Sequence, residues 1–409
     1  MIVAGAAGQS LHLTYCTNIH AGETWDDVRA IVATHVRAVK ARVCPDRPFG
    51  VGLRLSAAAA QRLAEPSVLA AFRDDLRAAG LYVFTINGFP YGAFSGTRVK
   101  ERVYRPDWLE DERLDYSNTL AGLLAALLPE DQRELEGSVS TVPGCFEDRA
   151  TEGKAGARVA ERLRAHAAYL LRLRARTGRV VTLALEPEPH CLLETSADVV
   201  AFFKEHVFSA ASIADFALTT GLDASTAEAA LRLHLGVCLD ACHAAVEFET
   251  PDEALDRFAA AGVRVLKVQV SAGLRVAPPD AAARAALTPF AEGVYLHQVV
   301  ARHGQHLRRT LDLPEALAEA TRAAAPEALD AEWRVHFHVP LFLERLGPFE
   351  STQAFLRPLL ARLSRENICQ HLEVETYTWD VLPEAFRGEP VDEAIARELG
   401  WTLEALRGA

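Results

Sequence analysis

LGVCLDACHAAVEFET, residues 235–250, begins as an apolar run and then sets Asp240 and His243 three positions apart where the run gives out. One strand ending in a carboxylate and an imidazole decides little; several ending the same way decide the fold. Apolar runs recur at 11–16 (LHLTYC), 49–55 (FGVGLRL), 81–86 (LYVFTI), 137–142 (GSVSTV) and 180–186 (VVTLALE). After 235–240 come 263–270 (VRVLKVQV), 333–339 (WRVHFHV) and 370–376 (QHLEVET). Between most of them lie stretches of helical period, such as 23–43 and 159–176; in the latter Leu163, Ala167, Leu170, Leu171 and Leu173 can share one broad face and arginines take the other. This alternation predicts a parallel sheet covered by helices.

An open doubly wound sheet and a closed barrel both satisfy that pattern. No GxGxxG turn follows 11–16 or 49–55, and no P-loop signature occurs. Polar residues gather instead at the C-terminal ends of the runs, where a barrel builds its active site. The expectation is therefore an α/β protein with a (β/α)8 TIM barrel, nine runs competing for eight places. Two long connections, at about 204–232 and 271–332, are expected to be helical insertions packed on a single domain spanning 1–409.

Hydrophobic residues make up 50% and charged residues 24%, a globular rather than a disordered composition. The net charge of −12 argues against a nucleic-acid partner, which needs clustered Lys and Arg. Seven cysteines form no CxxC pair and are expected as reduced thiols. The start, MIVAGAAGQSLHL, lacks the basic head and long apolar core of a signal peptide, and LAGLLAALL (120–128) is too short to span a bilayer. A cytoplasmic protein with no stable membrane insertion is expected.

Alternate side chains of a strand face the same way, so residues i and i+2 share a barrel interior. LALEPEPH puts Glu186 at the end of its run, VKVQVS offers Gln269, and RVHFHVP places His336 and His338 on one face. HLEVETYTW aligns His371, Glu373 and Glu375. Carboxylates converging in a low-dielectric mouth repel unless protons or a cation compensate. Carboxylates, an amide oxygen and imidazoles suit Mn²⁺, Mg²⁺, Zn²⁺ or Co²⁺. Glu188 and Glu373 are expected to face solvent or pair with arginine, and His12 and His20 to be structural. Phe84, Phe89, Phe94, Phe342 and Trp379 are core residues or the lining of an apolar cavity.

HLTYCTNIHAGETW (12–25), LEPEP (185–189), CLDACH (238–243), VHFHVPLF (335–342) and LEVETYTWDVLP (372–383) together resemble the xylose isomerase-like TIM barrels, and within them the EboE-type metabolite traffic proteins. The likeness extends over nearly the whole chain. It implies metal ligation by Glu186, Asp240 and Glu375, with Glu373 as fallback. Gln269 falls where many relatives place a histidine ligand, a departure that bears on both metal occupancy and isomerase activity. His243, His336 and His338 would form a second metal site, which makes 333–339 the supernumerary run.

The chemistry implied is isomerisation or epimerisation of a small polyhydroxylated metabolite, a divalent metal stabilising the enediolate formed when a proton leaves the carbon beside a carbonyl. Glu186 or Glu375 would move that proton and His243 would orient an oxygen. Asn87, Tyr91 and Arg54 are candidate substrate contacts, Arg54 being equally a salt-bridge candidate. The alternative is a carrier or processing factor for a prenylated or aromatic intermediate, functionally linked to a membrane prenyltransferase. Phosphodiester cleavage of the endonuclease IV type is third, because GVGLRLS and VFTINGF lack the extra histidines it requires.

Overall fold

The computed structural model describes residues 1–94, 98–151, 153–322 and 332–408. Eight strands come first: β1 (Ile2–Ala4), β2 (Ser10–Tyr15), β3 (Phe49–Arg54), β4 (Leu81–Asn87), β5 (Gly137–Thr141), β6 (Val181–Leu185), β7 (Leu235–Asp240) and β8 (Arg264–Val270). An inserted sheet follows, built from β9 (Leu274–Val276), β10 (Val299–His303), β11 (His306–Thr310), β12 (Glu332–Val335), β13 (Arg345–Leu346) and β14 (Phe349–Ser351). β15 (His371–Val374) then returns to the first sheet, between β2 and β8. Strands β2 to β8 and β15 run parallel. The cylinder closes between β2 and β3 at a parallel Cys16–Gly52 bridge. Thr14 reinforces the seam: its Oγ1 donates to the Gly50 carbonyl at 2.7 Å and accepts from the Gly52 N–H at 3.1 Å. This is a (β/α)8 barrel, with helices after each parallel strand.

The helices start where the sequence supplies caps. Thr24 and Asp27 form a capping box before Trp25–Ile31, and Thr195 and Asp198 form another before Ser196–Phe202. The long helix Ala155–Thr177 buries Val159, Leu163, Ala167, Leu170 and Leu173 and stops at Gly178, whose φ of 69° suits a residue without Cβ. Among the described residues no helix is long and apolar enough to cross a membrane.

Two β-bulges set which residues face the barrel axis. Along β4 the register passes from Val51–Val83 to Gly52–Thr85, skipping Phe84; along β8 it passes from Val237–Val265 to Cys238–Lys267, skipping Leu266. Each extra residue reverses the alternation. Thr85 and Asn87, and Lys267 and Gln269, are thereby turned to the same interior.

The connection at 204–232 is helical as expected, through Ala210–Thr220 and Ala224–His234. The one at 271–332 differs: beside the helices Ala281–Leu287 and Leu313–Arg322 it carries β9, β10 and β11, which pair with later strands in the order β11-β10-β12-β9-β14-β13. WRVHFHV therefore belongs to this second sheet. Its strand ends at Val335, and His336 and His338 lie in the segment beyond, above the barrel mouth.

Candidate metal centre at the barrel mouth

Glu186, Asp240 and Glu375 follow or close β6, β7 and β15, and one oxygen from each lies within 4.8 Å of the others. All three side chains are buried. Asp240 is fixed rigidly, because its Oδ1 accepts from the His243 N–H at 2.9 Å, capping the helix Ala241–Val246, and from Ser271 Oγ at 2.7 Å. Glu375 is held through Oε1, which accepts from Asn18 Nδ2 at 2.7 Å and Asn87 Nδ2 at 3.0 Å. Asn18 thus orients Glu375, a contact that the strand-end pattern does not reveal, since Asn18 lies in the 3-10 turn after β2.

Several buried polar atoms here have no hydrogen-bond partner: Glu186 Oε2, Asp240 Oδ2, both amide atoms of Gln269, and His338 Nε2. Unpaired buried groups of this kind are costly. Burial first, and then the charges of Glu375 and Asp240, push the Glu186 carboxyl well above its usual range. Glu375 is pushed up for the same reason, with Asp240 and Glu373 adding to burial. Three acids that cannot all ionise unaided, with oxygens left over, fit a divalent cation by charge and by donor type.

A second group adjoins the first. His243 Nδ1 lies 2.9 Å from the Pro187 carbonyl oxygen, His336 Nδ1 2.8 Å from Gln298 Oε1, and His338 Nδ1 2.7 Å from the Glu375 carbonyl oxygen. Each partner can only accept, so each Nδ1 carries a proton and donates it. The Gln298 orientation is fixed by its Nε2, which donates to Tyr104 Oη at 3.0 Å. His243 Nε2 and His336 Nε2 lie 3.1 Å apart, within hydrogen-bond distance of each other. Burial, and then His243, lower the His336 pKa well below its ordinary value; burial lowers that of His338 to about 4. Anchoring Nδ1 in this way orients the rings so that Nε2 is the atom left to face a metal.

Two expectations are corrected here. Glu188 does not face solvent: after Pro187 the chain turns over the mouth, where Glu188 Oε1 accepts from Tyr104 Oη at 2.7 Å and groups with His243 and His336. Glu373 pairs with a lysine rather than an arginine, its Oε2 lying 2.5 Å from Lys267 Nζ with both side chains fully buried. Of the proposed substrate contacts, Asn87 lines the cavity. Arg54 instead pairs with Glu23 at 2.6 Å, and Tyr91 packs on Tyr116. His12 and His20 hydrogen-bond to Tyr82 and Tyr15.

The cavity above the carboxylates has two unlike walls. Glu186, Glu188, His243, His336 and Glu375 form its floor; Phe89, Phe94, Tyr104, Tyr295 and Tyr377 stand over them. Phe94, Tyr295 and Tyr377 come from three loops and meet ring to ring at centroid separations of 5.0 to 5.4 Å. Of the other aromatic candidates, Phe84 packs deep in the barrel on His371, and Phe342 lies under Arg397.

Fold and site together define a (β/α)8 barrel with a buried carboxylate and histidine centre at its mouth. Comparison with protein-family models and with curated proteins gives no match. Among solved structures, the chain is similar to the IolI protein with a binding zinc atom, at 11% identity over 97% of this chain and 99% of that one, TM-score 0.45. It is similar to the 3-keto-D-glucoside 4-epimerase YcjR from E. coli, at 14% identity over 98% and 100%, TM-score 0.41. A xylose isomerase domain protein from Alicyclobacillus acidocaldarius matches at 17% identity over 97% and 100%, TM-score 0.42. Scores this low leave the reading of the site to its own geometry.

Proposed function

We propose that this protein is a divalent-metal-dependent isomerase or epimerase of a small polyhydroxylated metabolite. The observation that carries the reading is the meeting of Glu186, Asp240 and Glu375 from three separate strands, with Glu186 Oε2 and Asp240 Oδ2 unpartnered. Those three carboxylates, with the Gln269 amide oxygen, would hold the metal; an amide is a weaker donor than imidazole, but its unpaired buried atoms suit coordination. His243, His336 and His338, with Glu188, form the candidate second site. A divalent cation supplies Lewis-acid polarisation of the hydroxyl and carbonyl oxygens of a bound substrate.

The chain's own groups divide the remaining work. Asp240 is locked by two donors and does not line the cavity, so its role is ligation. Glu186 and Glu375 both face the cavity, so of the three acids they are the ones placed to take a proton from carbon and return it. Asn18 and Asn87 keep Glu375 aimed while its protonation changes. His243 presents Nε2 to orient a substrate hydroxyl, and the aromatic wall excludes water.

The EboE-like sequence islands support a second reading, a carrier or processing factor for a prenylated or aromatic intermediate working with a membrane prenyltransferase; the aromatic wall favours it. The two readings separate on metal and turnover. Metal analysis of the native protein should return at least one equivalent, and Asp240→Asn should lose it while keeping the native circular dichroism spectrum. Retained metal in that variant would count against the assignment, and tight binding of hydrophobic ligands to a metal-free native chain would favour the carrier.

A further inference from the structure

One layer below the carboxylate centre the barrel holds an ion pair that the proposed chemistry leaves unused. Lys267 and Glu373 are fully buried, joined at 2.5 Å across β8 and β15. Ser140 Oγ on β5 accepts from Lys267 Nζ at 3.2 Å. On β3, Gly52 makes the space: a Cβ there would lie 2.0 Å from Glu373 Oε1 and 2.5 Å from the Tyr15 carbonyl oxygen. The bulge in β8 is what turns Lys267 to the axis. Four strands and one glycine thus converge on two charges.

Burying a salt bridge so completely is costly for stability and rarely repaid by stability alone. Its location suggests what it does. Glu373 stands two residues before Glu375 and Lys267 two before Gln269, on the interior faces that lead to the centre. The Lys267 charge also acts on Glu186 and Glu375, opposing the effect of burial on both.

We infer that the Lys267–Glu373 pair is a fixed counter-charge that tunes cation affinity at the centre above it, with Glu373 a positioning residue rather than a ligand. Neutralised by Lys267, Glu373 stays out of the coordination sphere and the centre carries three acids instead of four. Without Glu373, the lysine's full positive field would oppose a divalent cation a short distance away; without Lys267, a fourth carboxylate would join the centre. The pair is built as a unit, so loss of Glu373 should weaken the cation's binding, loss of Lys267 should tighten it, and joint removal should be tolerated. This inference rests on the proposed carboxylate metal centre.

The test is a charge cycle read by competition with a metal chelator, using Zn²⁺ and Mn²⁺ as probes on the full-length native chain, Glu373→Gln, Lys267→Met and the double variant. Thermal unfolding of each metal-free form is measured alongside. Glu373→Gln should weaken metal binding by roughly tenfold or more, since a unit charge acts strongly at short range in a low-dielectric interior. The double variant should return to within about threefold of the native affinity, a neutral pair having replaced a neutral pair. Loss of binding in both Glu373→Gln and the double variant would make Glu373 a ligand and overturn the inference. So would native affinity in Glu373→Gln accompanied only by a lowered melting temperature, the mark of a structural pair. Should Lys267→Met fail to fold, the other three proteins still decide. A native chain that takes up no metal overturns the centre itself and this role with it, whereas a metal-binding chain indifferent to Glu373→Gln overturns this role alone.

Discussion

Each buried acid in this barrel is governed by what surrounds it. Asp240 is pinned by two donors, Glu375 is held by two amides, Glu373 is cancelled by a lysine, and Glu186 keeps an unpaired oxygen. Glu398, in the C-terminal helix Val391–Arg407, is a fifth case: its Oε1 accepts from Thr376 Oγ1 at 2.6 Å and from the Leu341 N–H at 3.1 Å, tying that helix to the loop after β15. Burial raises its pKa from 4.5 to about 7 despite these donors. The folded chain therefore binds this proton more tightly than the unfolded chain. The resulting stability is complete below the unfolded value and is lost as pH rises through about 7. The loss approaches about 3 kcal/mol, at 1.36 kcal/mol per pKa unit. Glu398→Gln cannot ionise, so denaturant unfolding should show it gaining on the native protein between about pH 5 and about pH 8. An equal difference at both pH values would contradict the buried, proton-retaining state.

Strands and turns explain which of these residues could be read in advance. The runs at 180–186, 235–240 and 370–376 are barrel strands, and Glu186, Asp240 and Glu375 were legible because each stands at or just past the end of an apolar run. Glu188 was not, because Pro187 stops the strand and the following turn, not the alternation, brings it inward. The bulges at Phe84 and Leu266 leave no trace in the hydrophobic pattern, so counting back in twos from Gln269 reaches Lys267 but gives the wrong face at Val265, beyond the extra residue Leu266. The sheet built around 271–332 was hidden for another reason: β12 pairs with β10 and β9, and β9 with β14, across 30 or more residues, and isolated short runs look alike whatever they pair with. Gly52 gives the element-scale test. Gly52→Ala forces a methyl against Glu373 and the Tyr15 carbonyl at the closing seam and should cost about 1–3 kcal/mol in thermal unfolding. Gly92→Ala, with no atom within 4 Å of the added carbon, should be near neutral. Equal effects would mean that the seam yields.

At the scale of the whole molecule, the barrel supplies the acids and His243, and the inserted sheet supplies His336 and His338. Its β10 begins just after Gln298, which anchors His336, and β12 ends just before His336 itself. Lys100 ties the loop after β4 to this insertion through Asp312 at 2.7 Å and the Tyr295 carbonyl at 2.5 Å, so the aromatic wall belongs to both. A mouth assembled from eight parallel strands and an inserted sheet is positioned to hold a cation where charges from distant parts of the chain meet. Anomalous diffraction from crystals grown with Zn²⁺ or Mn²⁺, collected above and below the metal's absorption edge, tests that most directly. An anomalous peak bonded to oxygens of Glu186, Asp240 and Glu375 is the expected result. A fully occupied metal elsewhere, with those three carboxylates hydrogen-bonded only to one another, would contradict it.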